Sequence, residues 1–359
     1  MKVCILGNGL TSLSLAKALI NLGFNVDLFS KNTKNIYYKS QTIGISKSNV
    51  EYFNKYIINI DKLVWNINKI EILSENLKND KILNFENGNT NLFSIVKNYK
   101  LYEFLLSNLK KNKSFFLKKK NFNIPNIKEY ELVINTISNN NISKKFFFRK
   151  LHKKYDSFGY VTTIQHKKIK FNRVAIQIFT KKGPLAFLPI SEKETSIVYS
   201  MRGKNNLSKK ELMNLIKKNS QKYVIERITN PINFELKSSN LRSYHYKNIL
   251  AFGDSLHRLH PLAGQGFNMT IRDIKLLIEL IILKKSLGLK IDSSVCSEFE
   301  KKIRSQNYLF SSSIDFIYEF FKIEGQLNNQ IISKSIKYIG KNKLINQIFT
   351  KFADRGFNP

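Results

Sequence analysis

The sequence predicts an α/β fold: a parallel-sheet domain of the doubly wound kind, interrupted by a sheet-rich second domain and closed by helices. Three observations predict it. The chain opens on KVCIL, GNGLTS, LSLAKALINLGF and NVDLFS, which read as strand, glycine turn, helix and strand. Its middle, GYVTTIQ, RVAIQIF, LAFLPI and TSIVYSM, reads as strand after strand with no helix between. Beyond residue 266 the pattern is mainly helical.

Taken in order, the opening unit has the layout of a dinucleotide-binding βαβ turn. Gly7 and Gly9 permit a tight turn, and Leu10, Thr11 and Ser12 begin a helix whose free N–H groups and dipole favour a pyrophosphate. The third fingerprint position is Ser12 instead of Gly, and the second strand ends in Ser30 where an acidic residue usually holds a ribose. VWNINKIEIL and DKILNF then read as short strands, NYKLYEFLLSNLKKN as a helix and YELVINT as a strand. KKELMNLIKKNSQKYV reads as one helix, and KNILAFGDSLH brings back a buried strand. The expected layout is a first domain from 1–61, 86–150 and 238–320, a second from 62–85 and 151–237, and a C-terminal helical segment, 321–359.

Composition bounds the function classes. With 359 residues, 42% of them hydrophobic and 12% aromatic, the chain has enough apolar material for a packed core. Two cysteines, Cys4 and Cys296, with no CxxC pair exclude a disulfide scaffold and a cysteine zinc site, and fit a reducing cytoplasm. The net charge of +34 comes mostly from Lys spread along the whole chain, which reads as a solvated basic surface and not as a nucleic-acid site. Such a surface is attracted to an anionic membrane. VCILGNGL is broken by glycines, so no signal peptide is expected, and no apolar run approaches the roughly 20 residues a spanning helix needs. The expected location is cytoplasmic, peripheral on the inner face of the cytoplasmic membrane.

GDSLHRLHPLAGQGFN, residues 253–268, concentrates the chemistry. Asp254, His257 and His260 offer an oxygen and two imidazoles to a metal. Pro261 forces His260 toward extended geometry, and no fourth ligand stands out, so the expected metal content is none. The competing reading is a loop laid against a flat ligand. There Asp254 sits at the carboxyl edge of a sheet, Gly264 and Gly266 allow close backbone approach, and Phe267 and Asn268 begin a helix aimed at the ligand. His257 then supports the loop by hydrogen bonding.

This stretch, with Asp273 downstream, resembles the second FAD motif of the class A flavin monooxygenases, most of all the ubiquinone-biosynthesis hydroxylases. GNGLTS, TIGISKSNVEYF, LVWNINKIEIL, IVKNYKLYEFLLSNL, GPLAFLP with SIVYS, and ADRGF resemble that family's other blocks in the same order. The resemblance implies an FAD-binding domain, a substrate domain, and hydroxylation of a prenylated phenolic quinone precursor with O2 and NAD(P)H. It implies that His260, Pro261, Gly264 and Gln265 face the flavin, that Asp254 meets the ribityl chain, and that Phe187 and Pro189 wall the substrate pocket. It also implies a place beside a quinone-biosynthesis complex. The chain departs from the pattern at Ser12 and Ser30, at Gln41 where the family has Arg, and at Asn135-Thr136 where it has Ala-Asp-Gly. Those departures keep two alternatives open: a flavoprotein oxidoreductase without oxygen insertion, and a non-catalytic scaffold.

Overall fold

Parallel strands are covered by helices on both faces and therefore read as uninterrupted apolar runs. In the computed structural model KVCIL forms β1 (Lys2–Leu6), with Val3, Cys4 and Ile5 fully buried. It passes through α1 (Leu10–Asn21) into β2 (Asn25–Phe29), parallel to β1. The structure describes residues 1–31, 37–86, 91–120, 122, 124–203, 207–220, 222–260, 264–327, 331–339, 350–352 and 354–356. The chain continues through β3 (Thr42–Ser46), α2 (Lys47–Tyr52), β4 (Val64–Ile67), β5 (Lys69–Ser74), β6 (Asp80–Glu86) and β7 (Phe93–Lys97). Then come α3 (Asn98–Lys110), β8 (Phe115–Lys118), β9 (Leu132–Asn135) and α4 (Asn141–Phe146). The strand-rich middle holds β10 (Lys150–His166), β11 (Val174–Thr180), β12 (Gly183–Pro189), β13 (Glu194–Arg202), α5 (Lys209–Asn219), β14 (Ile225–Ile228) and β15 (Ile232–Leu241). Last are β16 (His245–Tyr246), β17 (Ile249–Ala251), β18 (His257–Arg258), α6 (Gln265–Ser286), α7 (Ser293–Leu327) and α8 (Ile331–Ile339).

Three sheets organise these elements. The first runs β16-β17-β9-β1-β2-β8, parallel except for the β16–β17 pair. The second is a nine-stranded sheet, β18-β15-β10-β13-β12-β11-β5-β6 with β14 paired to β10. A small sheet, β3-β7-β4, bridges them: Thr42 donates to Ser196 Oγ at 2.9 Å, and Ile67 and Ile95 pack with Ala175. The segment 62–85 is thereby divided, β4 joining the small sheet and β5 and β6 the large one. The large sheet also takes in residues up to Leu241 and the His257–Arg258 strand.

Two helices differ from expectation. The helix beginning at Lys209 is fixed by a Ser208–Glu211 capping box but stops at Asn219, short of Val224. Beyond its Ser220 cap, Tyr223 lies in the core, stacked on Phe187 with ring centroids 6.0 Å apart. Helix α7 runs unbroken through residue 321 for 35 residues, about 52 Å at 1.5 Å per residue. It ties the two domains together: Phe299 packs on Phe252 of the parallel-sheet domain, while Phe321 stacks on Phe179 of the large sheet.

Candidate functional site

The carboxyl ends of β1, β9 and β17 are where a doubly wound sheet takes a ligand. At the first of these, Gly7 adopts φ 109, and a Cβ there would lie 2.4 Å from Thr136 Oγ1. Gly9 caps α1 with no side-chain hydrogen bond, and no acidic residue neutralises the helix's first turn. The first intrahelical bond runs from Leu13 N–H to the Gly9 carbonyl. The N–H groups of Thr11 and Ser12 find no acceptor among the described residues, and Leu10 N–H donates to the Tyr37 hydroxyl at 3.1 Å. The side chain of Ser12 is buried and spoken for. Thr136 gives its proton to the Leu6 carbonyl, so Ser12 donates to Thr136 Oγ1, at 2.8 Å. Ser30 is buried at the end of β2, and Gln41 is half-buried, its backbone tied to Tyr38 and Asn98.

Asn135 is consumed locally. Its amide donates to Ser143 Oγ at 2.8 Å and to the Ile137 carbonyl, while its oxygen accepts from Asn140 at 2.8 Å. It organises the turn into α4, and Thr136 closes against Gly7.

The second half of the site lies at β17. Gly253, at φ 59, takes a backbone conformation that favours glycine, and a Cβ there would meet Thr11 Cγ2 at 2.7 Å. That close approach brings the start of α1 against the Gly253–Asp254 edge. Asp254 follows in a single 3-10 turn, exposed and with no side-chain partner among the described residues. Gly264 caps α6 at φ 63, close to Gly44 of β3. Helix α6 also lacks an acidic first turn, and Lys284 and Lys285 complement its other end. The buried Oε1 of Gln265 has no hydrogen-bond partner among the described residues, and a Cβ at Gly266 would meet nothing within 4 Å. Phe267 is half-buried and packs on the main core. Pro261 lies outside the described residues.

Several expected contacts prove to be supports. Asn268 is buried and saturated: it accepts from Ser46 N–H at 2.8 Å and Asn49 Nδ2 at 3.0 Å, and donates to the Gly44 carbonyl at 2.9 Å. Its side chain therefore clamps β3 and α2 to α6. His257 is a support, as its position in the loop predicts: its Nε2 lies 2.5 Å from Asp273, whose other oxygen accepts from Asn307 at 3.2 Å. His260 is not open to the cleft but buried, edge-on to Tyr155 at 4.7 Å and 4.3 Å from Tyr318. Burial, with Lys153 nearby, lowers its pKa to about 4, so it is neutral. Among the described residues no three His, Cys, Asp or Glu side chains gather as metal ligands.

The wall residues also need correction. On β12 alternate side chains face opposite ways. Phe187 packs with Leu185, Tyr199, Leu212 and Ile216 beneath α5, on the far face of the sheet, and Pro189 shares its parity. On the opposite face are the half-buried Ala186, Leu188 and, across the ladder, Val198, with Leu188 packed against Ile67 and Ile95 of the small sheet. The period-2 pattern of GPLAFLP separates these two sets, and that signal would have found them. Tyr37, far from either motif, carries no such signal.

A flavin dinucleotide fits these residues. Free amides at α1 suit the diphosphate, the exposed Asp254 suits hydroxyls, and the orphaned Gln265 oxygen lies at the bare, positive end of α6. Comparison with known proteins agrees. The chain matches the FAD binding domain family model over residues 154–285. It is 29% identical over 154 residues to the 3-demethoxyubiquinol 3-hydroxylase of Escherichia coli, covering 40% of this chain and 39% of that one. It is 24% identical over 175 residues to the ubiquinone hydroxylase UbiL of Rhodospirillum rubrum, covering 46% and 41%. These matches span about two fifths of each relative's length. Among solved structures, p-nitrophenol 4-monooxygenase PnpA of Pseudomonas putida superposes with a TM-score of 0.78 at 11% identity, over 98% of both chains. HpxO of Klebsiella pneumoniae, complexed with FAD and uric acid, gives 0.75 at 10% identity over 99% of this chain and 97% of that one. Over residues 154–285 the chain is therefore similar to the FAD binding domain family, over about two fifths of its length it is similar to ubiquinone-biosynthesis hydroxylases, and its fold is that of solved FAD-dependent monooxygenases.

Proposed function

We propose that this protein hydroxylates the aromatic ring of a prenylated phenol in ubiquinone biosynthesis, using FAD, O2 and NAD(P)H. The observation that carries the reading is the contact of Thr11 with Gly253, which joins the α1 amides to the Asp254 edge. The hydroxylase relatives support the substrate class, and the half-buried Ala186, Leu188 and Val198 supply an apolar wall for a ring. FAD, when bound, supplies the electron transfer and oxygen activation. The α1 amides would hold its diphosphate, Asp254 would accept from its sugar or ribityl hydroxyls, and the positive end of α6 would favour negative charge beside it. The apolar row keeps water from the substrate. No side chain is assigned as a general base.

The test is FAD reconstitution followed by turnover of a prenylated phenol with NAD(P)H and isotopically labelled O2. The expected product carries one labelled oxygen. NAD(P)H oxidation without labelled product favours an oxidoreductase that inserts no oxygen, and no flavin uptake favours a scaffold. Such a substrate resides in the bilayer, so the same reading includes peripheral contact with an anionic membrane, beside a quinone-biosynthesis complex. Among the described residues no helix is long and apolar enough to cross a membrane. The +34 charge and the exposed Leu309, Phe316 and Ile323 of α7 suit a surface contact. Co-sedimentation with anionic vesicles should weaken as salt rises; binding indifferent to salt counts against the electrostatic part.

A further inference from the structure

The α1 amino terminus already has one protein ligand. Three N–H groups there, of Leu10, Thr11 and Ser12, have no intrahelical acceptor, because the first helical bond begins at Leu13. The Tyr37 hydroxyl accepts the first of them at 3.1 Å. The phenol is held in that position from behind: its ring lies 5.3 Å from that of Tyr102, a buried residue of α3, and packs on the main core. A diphosphate seated at this helix end would take the same Leu10 N–H. The N–H has room for one good acceptor, and a phosphate oxygen, being charged, is a stronger one than a neutral phenol.

We infer that Tyr37 is a competing cap of α1, whose hydroxyl must leave the Leu10 amide as the FAD diphosphate arrives. The inference rests on the FAD reading above. Tyr37 satisfies one amide of a helix end that carries neither an acidic first turn nor a side-chain cap. The exchange sets an affinity cost and a step that precedes tight binding.

The test is FAD titration of the full chain, followed by quenching of flavin fluorescence, for the wild type and for Tyr37→Phe. The Phe variant keeps the ring against Tyr102 and removes only the hydroxyl. Loss of one competing hydrogen bond should tighten FAD binding by about twofold to tenfold. In stopped flow, the wild-type association rate should level off at high FAD as release of the cap becomes limiting, while the Phe variant stays linear. Tyr37→Ala, with thermal unfolding recorded alongside, reports any loss of the Tyr102 contact. Equal affinity and equal kinetics in wild type and Tyr37→Phe overturn the cap while leaving the FAD reading intact. Weaker binding by Tyr37→Phe makes the hydroxyl an FAD ligand and overturns it as well. A wild type that quenches no flavin removes the FAD reading and this inference with it.

Discussion

The two halves of the site are built on the same device, a glycine-entered helix with a bare, positive end, yet they treat their polar groups differently. At α1 the neighbouring groups are tied to protein: Ser12 to Thr136, Leu10 N–H to Tyr37, and Asn135 to Ser143 and Asn140. At β17 and α6 the supports are engaged inside the fold, Asn268 fully and His257 through Nε2, while the outward groups stay available. His257 and Asn268 are buried in their networks, and Asp254 and the Gln265 oxygen have no partner among the described residues. Under the proposed FAD reading, the difference assigns holding power to the second half, with the first contributing backbone amides more than side chains. Ser12 and Ser30, where the sequence departs from the resembled pattern, are both buried.

The largest expected effect comes from breaking the second half at its support. His257→Ala leaves the Asp273 carboxylate buried with Asn307 as its side-chain hydrogen-bond partner among the described residues, which should cost about 3–5 kcal/mol in urea unfolding. A loss near that of an ordinary surface change would mean the pair does not fix the loop. Next is pH. His260 titrates at about 4 in the folded protein against an ordinary value of 6.5, so the folded state binds the proton less readily. Stability is therefore full above about pH 6.5 and falls as pH drops toward 4, by about 3 kcal/mol from this group. His260→Phe should remove that part of the slope; an unchanged slope would place the imidazole in a wetter setting than its Tyr155 and Tyr318 neighbours imply.

Much of this was legible beforehand. The βαβ opening, the buried strand before Gly253, the supporting role of His257 and the helical C-terminus follow from apolar runs, glycine positions and local spacing. What was not legible depends on neighbours distant in the chain. His260 sits in the flavin motif, but Tyr155 and Tyr318, from a strand and a helix of other regions, enclose it. The family motif puts Phe187 in the pocket wall, but its parity along β12 decides its face. Tyr37 reaches Leu10 across 27 positions, with nothing in either local sequence to announce it. Strand β4 (Val64–Ile67) joins the small sheet through a pairing with β7 that its own residues do not specify.

The comparison between the halves comes down to one measurement: FAD titration of the wild type, Asp254→Ala and Ser12→Ala side by side. Asp254 offers charge-assisted acceptance, so its loss should weaken binding by about tenfold to a hundredfold. Ser12 faces Thr136, so its loss should change FAD affinity by no more than about twofold, with its effect confined to stability. Flavin affinity that survives Asp254→Ala but collapses with Ser12→Ala would contradict the assignment of the holding role to the second half.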